Sequence, residues 1–250
     1  MSTIRTAHPS TVAAVKSAVV ATLIETLLDM DSEMQNSLPE GSYGVRLIAP
    51  GGIGSLVSFK GGTTGTLIQF LSCDAMNRTL SGEKAFLLPL PTGRSFLKGL
   101  KAFSSCATAV SKAMAFVPEQ ADTQGIHKKA RLLLTAALQG VCEVYNHDHW
   151  IKMKSASLPE GSIAVLVAGN DDLSGTITQK NKIMTYQRGS QTEKANAVLE
   201  FSDVSVCYGV LTGSLAAMGE LGSGRVMLKG KISMIQGLFP LLDRFGEIMK

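Results

Sequence analysis

The chain has 250 residues, a length that fits one large domain or two small ones. Hydrophobic residues make up 45% and charged residues only 18%, which excludes disordered and fibrous classes and leaves a globular protein able to bury a sizeable core. Twenty-four basic against 20 acidic residues give +4, too small and too dispersed for the basic stripe that nucleic-acid binding needs, so nucleic acid is not an expected partner.

In chain order, Val12, Val15, Val19, Leu23, Leu27, Met30 and Met34 step by threes and fours, which predicts one long helix capped at Ser10 or Thr11. Pro39 ends it. Strands are expected at Tyr43–Leu47, Leu56–Phe59 and Thr66–Phe70, a short helix opening near Ser72, a strand over Arg94–Lys101 and a helix over Phe103–Phe116. The order then repeats. Ala130, Leu134, Ala137, Val141, Val144 and Ile151 make a second long helix, ended by Pro159. Strand signals follow at Ile163–Val167, Thr176–Thr178, Ile183–Tyr186 and Asn196–Phe201, then a helix opening near Asp203, a strand over Arg225–Ser233 and a helix over Met234–Met249 that Pro240 should kink or restart.

The residues themselves repeat as well. Ser37-Leu-Pro-Glu-Gly-Ser42 recurs unchanged as Ser157–Ser162, an offset of 120. Leu90-Pro-Thr-Gly-Arg-Ser-Phe-Leu-Lys-Gly99 matches Leu221-Gly-Ser-Gly-Arg-Val-Met-Leu-Lys-Gly230 at an offset of 131, and Ile68-Gln-Phe70 falls on Leu199-Glu-Phe201 at the same offset. Copy two therefore carries eleven extra residues between Ser162 and Leu199, enough for one more short strand and its turn. Two homologous domains are expected, 1–120 and 121–250, joined near Val117 to Gly125.

In the second copy, Ala197-Val-Leu-Glu-Phe-Ser-Asp203, Gly209-Val-Leu-Thr-Gly213 and Gly224-Arg-Val-Met-Leu-Lys-Gly-Lys-Ile232 follow one another in an order that resembles the sterol carrier protein family, type two. The resemblance covers about residues 126 to 250. It implies an α/β (α+β) fold of two tandem sterol-carrier-like domains, each a curved, mainly antiparallel sheet of four to five strands covered by helices. It also implies a non-enzymatic domain that holds a fatty acid, acyl-CoA, phospholipid or sterol in an apolar tunnel, and a part in lipid transport. The first copy departs from the pattern: it lacks one strand, has Ser72-Cys73-Asp74 in place of the Ser-Asp step, and carries Pro89 and Pro91 where a helix would lie.

The strand alternation is compatible with a tunnel. Leu199 and Phe201 share a face with Ala197, and Leu228 shares one with Val226 and Ile232. Val206, Val210, Leu211, Leu215, Met218, Met234, Leu238 and Phe239 are expected to cover that face. The same residues would equally serve an ordinary packed core. In that alternative the protein is an interaction or scaffold module whose cavities are filled by side chains, its apolar surplus making a homodimer or an intramolecular pseudo-dimer.

Other candidate chemistry is weaker. His147-Asp148-His149 places two imidazoles on nearly opposite sides of a helix, which argues against a metal site. The glycines at 51, 52, 54, 61 and 62 read as hairpin turns, because no Gly-Lys-Ser/Thr follows them. Asp203 suits a helix N-cap better than a catalytic carboxylate. Arg94 with Lys98, and Arg225 with Lys229 and Lys231, read as a solvated sheet face. Cys73, Cys106, Cys142 and Cys207 form no C-x-x-C pair and read as small buried hydrophobes in a reducing, cytoplasmic setting. Met1–Ser10 does not read as a secretory signal, and Lys16 and Glu25 interrupt Val12–Leu28, the nearest approach to a transmembrane run. No cofactor and no catalytic residue is expected.

Overall fold

The computed structural model describes residues 6–119, 121–154, 158–189 and 191–250. Outside it fall the first half of the N-terminal stretch, Gln120 of the expected linker and Ser157 of the repeated hexapeptide. The chain divides into two compact units between Ala115 and Phe116. Both units are α+β, with sheets of four and five strands.

In the first unit, helix α1 (Pro9–Met30) starts before the expected caps: Pro9 has the fixed φ that suits a first turn, and His8 Nδ1 accepts from the Ser10 amide. The long helix expected through Met34 breaks at Asp31, whose carboxylate accepts from the Met34 amide at 2.8 Å and opens α2 (Ser32–Ser37). By length and composition α1 could cross a membrane. Here it is a core helix, with Ala13, Val15, Val19, Leu23 and Ile24 buried. Strands β1 (Tyr43–Ile48), β2 (Leu56–Phe59), β3 (Gly65–Phe70) and β4 (Leu87–Pro91) assemble in the order β2-β1-β3-β4, with β1 and β3 parallel. Helix α3 (Cys73–Leu80) lies between β3 and β4 in the chain and is capped by Ser72, as its sequence predicts. Helix α4 (Phe96–Ala115) then packs against β1, β3 and β4.

The second unit opens with α5 (Thr123–His147) and α6 (His149–Lys154), followed by β5 (Gly161–Val167), β6 (Asn170–Lys180), β7 (Ile183–Arg188) and β8 (Ala197–Phe201). Next come α7 (Val204–Thr212), α8 (Ala217–Gly222), β9 (Val226–Gly230), α9 (Ile232–Gln236) and α10 (Phe239–Met249), with Pro240 in the first turn of α10. The strand order β7-β6-β5-β8-β9 repeats the first sheet and adds β7 at one edge. That strand is what the extra residues of copy two build. From β7 the chain returns across the back of the sheet, where the Thr176 hydroxyl donates to the Gly189 carbonyl at 2.9 Å and accepts from the Gln191 amide at 3.1 Å.

Two expectations fail at the last strand. In the first unit, Arg94–Lys101 is not a strand; most of it begins α4, and the strand is Leu87–Pro91. Ile68 stands opposite Pro89, while its counterpart Leu199 stands opposite Leu228, so the last strands are offset by 139 residues rather than 131. The difference accommodates α8. Gly99 and Gly230, aligned by sequence, serve different ends. Gly99 lets α4 come so close to β3 that a Cβ there would meet Thr66 Oγ1. Gly230 adopts φ 79°, ending β9 three residues before the expected Ser233, and Lys231 donates to the Asn196 carbonyl at 2.9 Å. Ile232 consequently leaves the strand face and is 46% exposed.

Candidate functional site

The candidate site is the inner face of the second sheet, and strand register assembles it. Ile163 pairs with Ile177 and Ala197, Val165 with Gly175 and Leu199, and Val167 with Phe201; Leu199 in turn pairs with Leu228, and Phe201 with Val226. Partners in register share a face, so one apolar row runs across the sheet. Helix α5 covers its β6–β7 half: Leu138 approaches Gly175, and Tyr145 and Asn146 hydrogen-bond to Gln179 and Met184. Helix α7 lies against α5 and β8, and α9 against β8 and β9.

Covering is uneven. Phe201, Val206, Met234 and Leu238 are buried, whereas Leu199, Leu228, Val210, Leu211, Leu215 and Phe239 are only partly buried. Met218 stands apart at 74% exposure. Spacing placed it beside Val210 and Leu211, but Gly213, at φ 76°, ends α7, and Leu215 folds back with its amide on the Gly209 carbonyl at 3.0 Å. The residues beyond no longer follow the α7 face.

Comparison with the first unit gives this unevenness meaning. Ile68, the counterpart of Leu199, is 2% exposed and lies on a strand packed against α4. In the second unit the short α9 lies against β8 and β9, and α10 packs closely along no strand. Phe245 of α10 instead approaches Gly140 of α5. Leu199 on β8 and Leu228 on the edge strand β9 thus sit at the side of an apolar face that its helices leave partly open.

The charged groups around this face are structural. Asp203 caps α7 by accepting from the Val206 amide at 2.9 Å. Burial alone would raise its pKa, but the Val206 and Ser205 amides, the Ser202 hydroxyl and the nearby Arg225 outweigh that and hold it below the ordinary carboxylate value. Asp148 accepts from the Trp150 and Ile151 amides and pairs with Arg244 at 2.7 Å, both side chains buried. His147 faces Glu143 at 3.3 Å, and no metal-ligand cluster occurs among the described residues. On the back of the sheet, Lys229 pairs with Glu200 at 2.6 Å, and Arg225 clasps Glu220 at 2.7 Å. In the first unit Lys98 donates to the Glu40 carbonyl at 3.0 Å from α4 rather than from a strand. A depression of about 510 Å³ lies on α4, lined by Lys101, Ser104, Ser105, Thr108, Ala109 and Lys112, away from either inner face.

Sequence reasoning missed Gln179. It is buried on the inner face, donates to the Tyr145 hydroxyl at 3.2 Å, and its Oε1 has no hydrogen-bond partner among the described residues. A polar residue at an inward position of an alternating strand was the available signal. Burial pushes the thiols of Cys106 to about 11 and Cys207 to about 12, and that of Cys142 well above its ordinary value, so none is poised as a nucleophile.

No family model matches the chain, and no curated protein does. Among solved structures it is similar to the solution structure of a conserved hypothetical protein from Thermus thermophilus, for which a sterol carrier function has been suggested. The identity is 22% and the TM-score 0.32, over 46% of this chain and 84% of the other.

Proposed function

We propose that the second unit reversibly binds a long apolar molecule, such as a fatty acyl chain or sterol, on the inner face of its sheet, without catalysing a reaction. The observation that carries this reading is the partial exposure of Leu199 on the interior strand β8, with Leu228 beside it on the edge strand β9, set against the buried Ile68 at the matching position of the first unit. Each 100 Å² of apolar surface covered there by a ligand would contribute about 2.5 kcal/mol before ordering costs. The first unit, whose Ile68 is buried, is proposed as a structural rather than a ligand-binding copy.

The test is displacement of a fluorescent fatty acid, with native mass spectrometry of the purified protein for co-purified lipid. Leu199→Lys should weaken binding at least tenfold, whereas Leu97→Lys, at an exposed position of the first unit, should leave it unchanged. Absence of binding and of co-purified lipid in the wild type would sink the proposal, as would a Leu199→Lys variant that binds as well as the parent.

A further inference from the structure

Gln179 stands two residues beyond Ile177 on β6, so its side chain enters the same inner face of the second sheet. It is 5% exposed, and Tyr145, which meets it from α5, is 3% exposed. The Gln179 amide donates to the Tyr145 hydroxyl at 3.2 Å, while its Oε1 has no partner among the described residues. An ordinary packed core would carry an aliphatic residue there, because a buried amide oxygen without a donor is destabilising. The neighbouring space is adaptable. Gly161, paired with Gln179, has no side chain, and a Cβ there would meet the Asn196 amide oxygen and, at 3.1 Å, the methyl of Met234. Met234 reaches in from α9, and its unbranched thioether chain repacks readily. The first unit has no such pair: its matching row is Tyr43 stacked on Phe59 at 5.1 Å, and the chain turns at Gly61 where Gln179 would stand.

We infer that Gln179 and Tyr145 form a head-group subsite that selects an apolar molecule ending in an uncharged hydroxyl over one ending in a carboxylate. The inference rests on the binding reading above and narrows its ligand class. Hydrogen-bond inventory decides the class. With its Nε2 donating to Tyr145, Gln179 keeps an acceptor and the Tyr145 hydroxyl keeps its proton to donate, which together complement one hydroxyl group. Turning the amide over still leaves a donor and an acceptor, since Tyr145 would then donate to the amide oxygen and the NH2 would face inward. A carboxylate has no proton for Gln179 Oε1 and would bring a charge into a buried place. Lys152 Nζ lies over the Tyr145 ring, 5.8 Å from its centroid, but that residue is partly exposed and bonds to neither member of the pair. Register sets Gln179 four residues along and two strands across from Leu199, about 16 Å away by ordinary strand spacings. A head held at Gln179 therefore leaves the apolar tail directed toward the partly open side of the face.

Competition against a bound fluorescent fatty acid tests it on the full chain, with hexadecanol, hexadecanoate and hexadecane as competitors matched in length. Hexadecanol should displace the probe from wild type at about one-tenth the concentration that either of the others needs, because only it satisfies the stranded oxygen. Gln179→Leu should bring hexadecanol to the level of hexadecane while leaving hexadecane unchanged. Tyr145→Phe, which removes the donor, should reduce the same preference. Unchanged circular dichroism would show that each variant keeps its fold, and the wild-type preference is read without any variant. Equal competition by hexadecanol and hexadecane in wild type overturns the inference, since Gln179 would then hold a water only. So does hexadecanoate competing as well as the alcohol, or a preference for the alcohol that survives both substitutions. Failure of wild type to bind the probe at all refutes the binding reading itself, and this inference with it.

Discussion

Replacing Asp148 by alanine should destabilise the second unit by about 4 kcal/mol. Asp148 and Arg244 are both buried and meet at 2.7 Å, so removing the carboxylate leaves a guanidinium stranded away from water. Such removals cost about 3–5 kcal/mol. Arg244 keeps its bond to Glu247 at 2.8 Å, which places this loss near the lower end. Asp148 also accepts from the Trp150 and Ile151 amides at the start of α6, and losing that cap adds about 1 kcal/mol. The assay is urea unfolding followed by fluorescence of Trp150, the chain's single tryptophan, whose ring lies 5.7 Å from the Arg244 guanidinium. Combining Asp148→Ala with Arg244→Met should restore part of the loss, because no unpaired buried charge then remains. A single variant within about 1 kcal/mol of wild type, or a double variant no more stable than the single, would refute the account.

Asp203→Ala should cost about 1 kcal/mol through loss of the α7 cap, measured by the same unfolding assay. The pH dependence has a definite sign: the folded-state pKa of Asp203 is depressed, so its contribution is complete above the unfolded value of about 3.9 and fades as pH falls through the folded one. The stability gap between wild type and Asp203→Asn should accordingly narrow on acidification. Gly99→Ala should destabilise the first unit by about 1–3 kcal/mol, since the new methyl would press on Thr66 where α4 meets the sheet, and thermal unfolding checks it. In thiol labelling near pH 8, partly exposed Cys73 should react quickly, while Cys106, Cys142 and Cys207 should react only on unfolding.

Much of this architecture is written locally. Ser72 and Asp203 announce the starts of α3 and α7 because a short oxygen-bearing side chain after a strand satisfies the first amides of a helix. Alternation places Ala197, Leu199 and Phe201 on one face, and the eleven extra residues of copy two announce β7. The two leucine-glycine-lysine segments, in contrast, share six residues of ten, yet one ends a strand and begins α4 while the other ends α8 and forms β9. Local propensity could not separate them; the pairing partner did, since β3 took Leu87–Pro91 as its neighbour and left the following residues to fold as a helix. The depth of Leu199 and Ile68 was equally beyond the sequence. Both are branched aliphatics at matching inward positions, and only the helices packed over each sheet decide that one is sealed and the other partly open. Periodicity fixes which side of a strand a residue faces, but burial is set by what arrives from elsewhere in the chain.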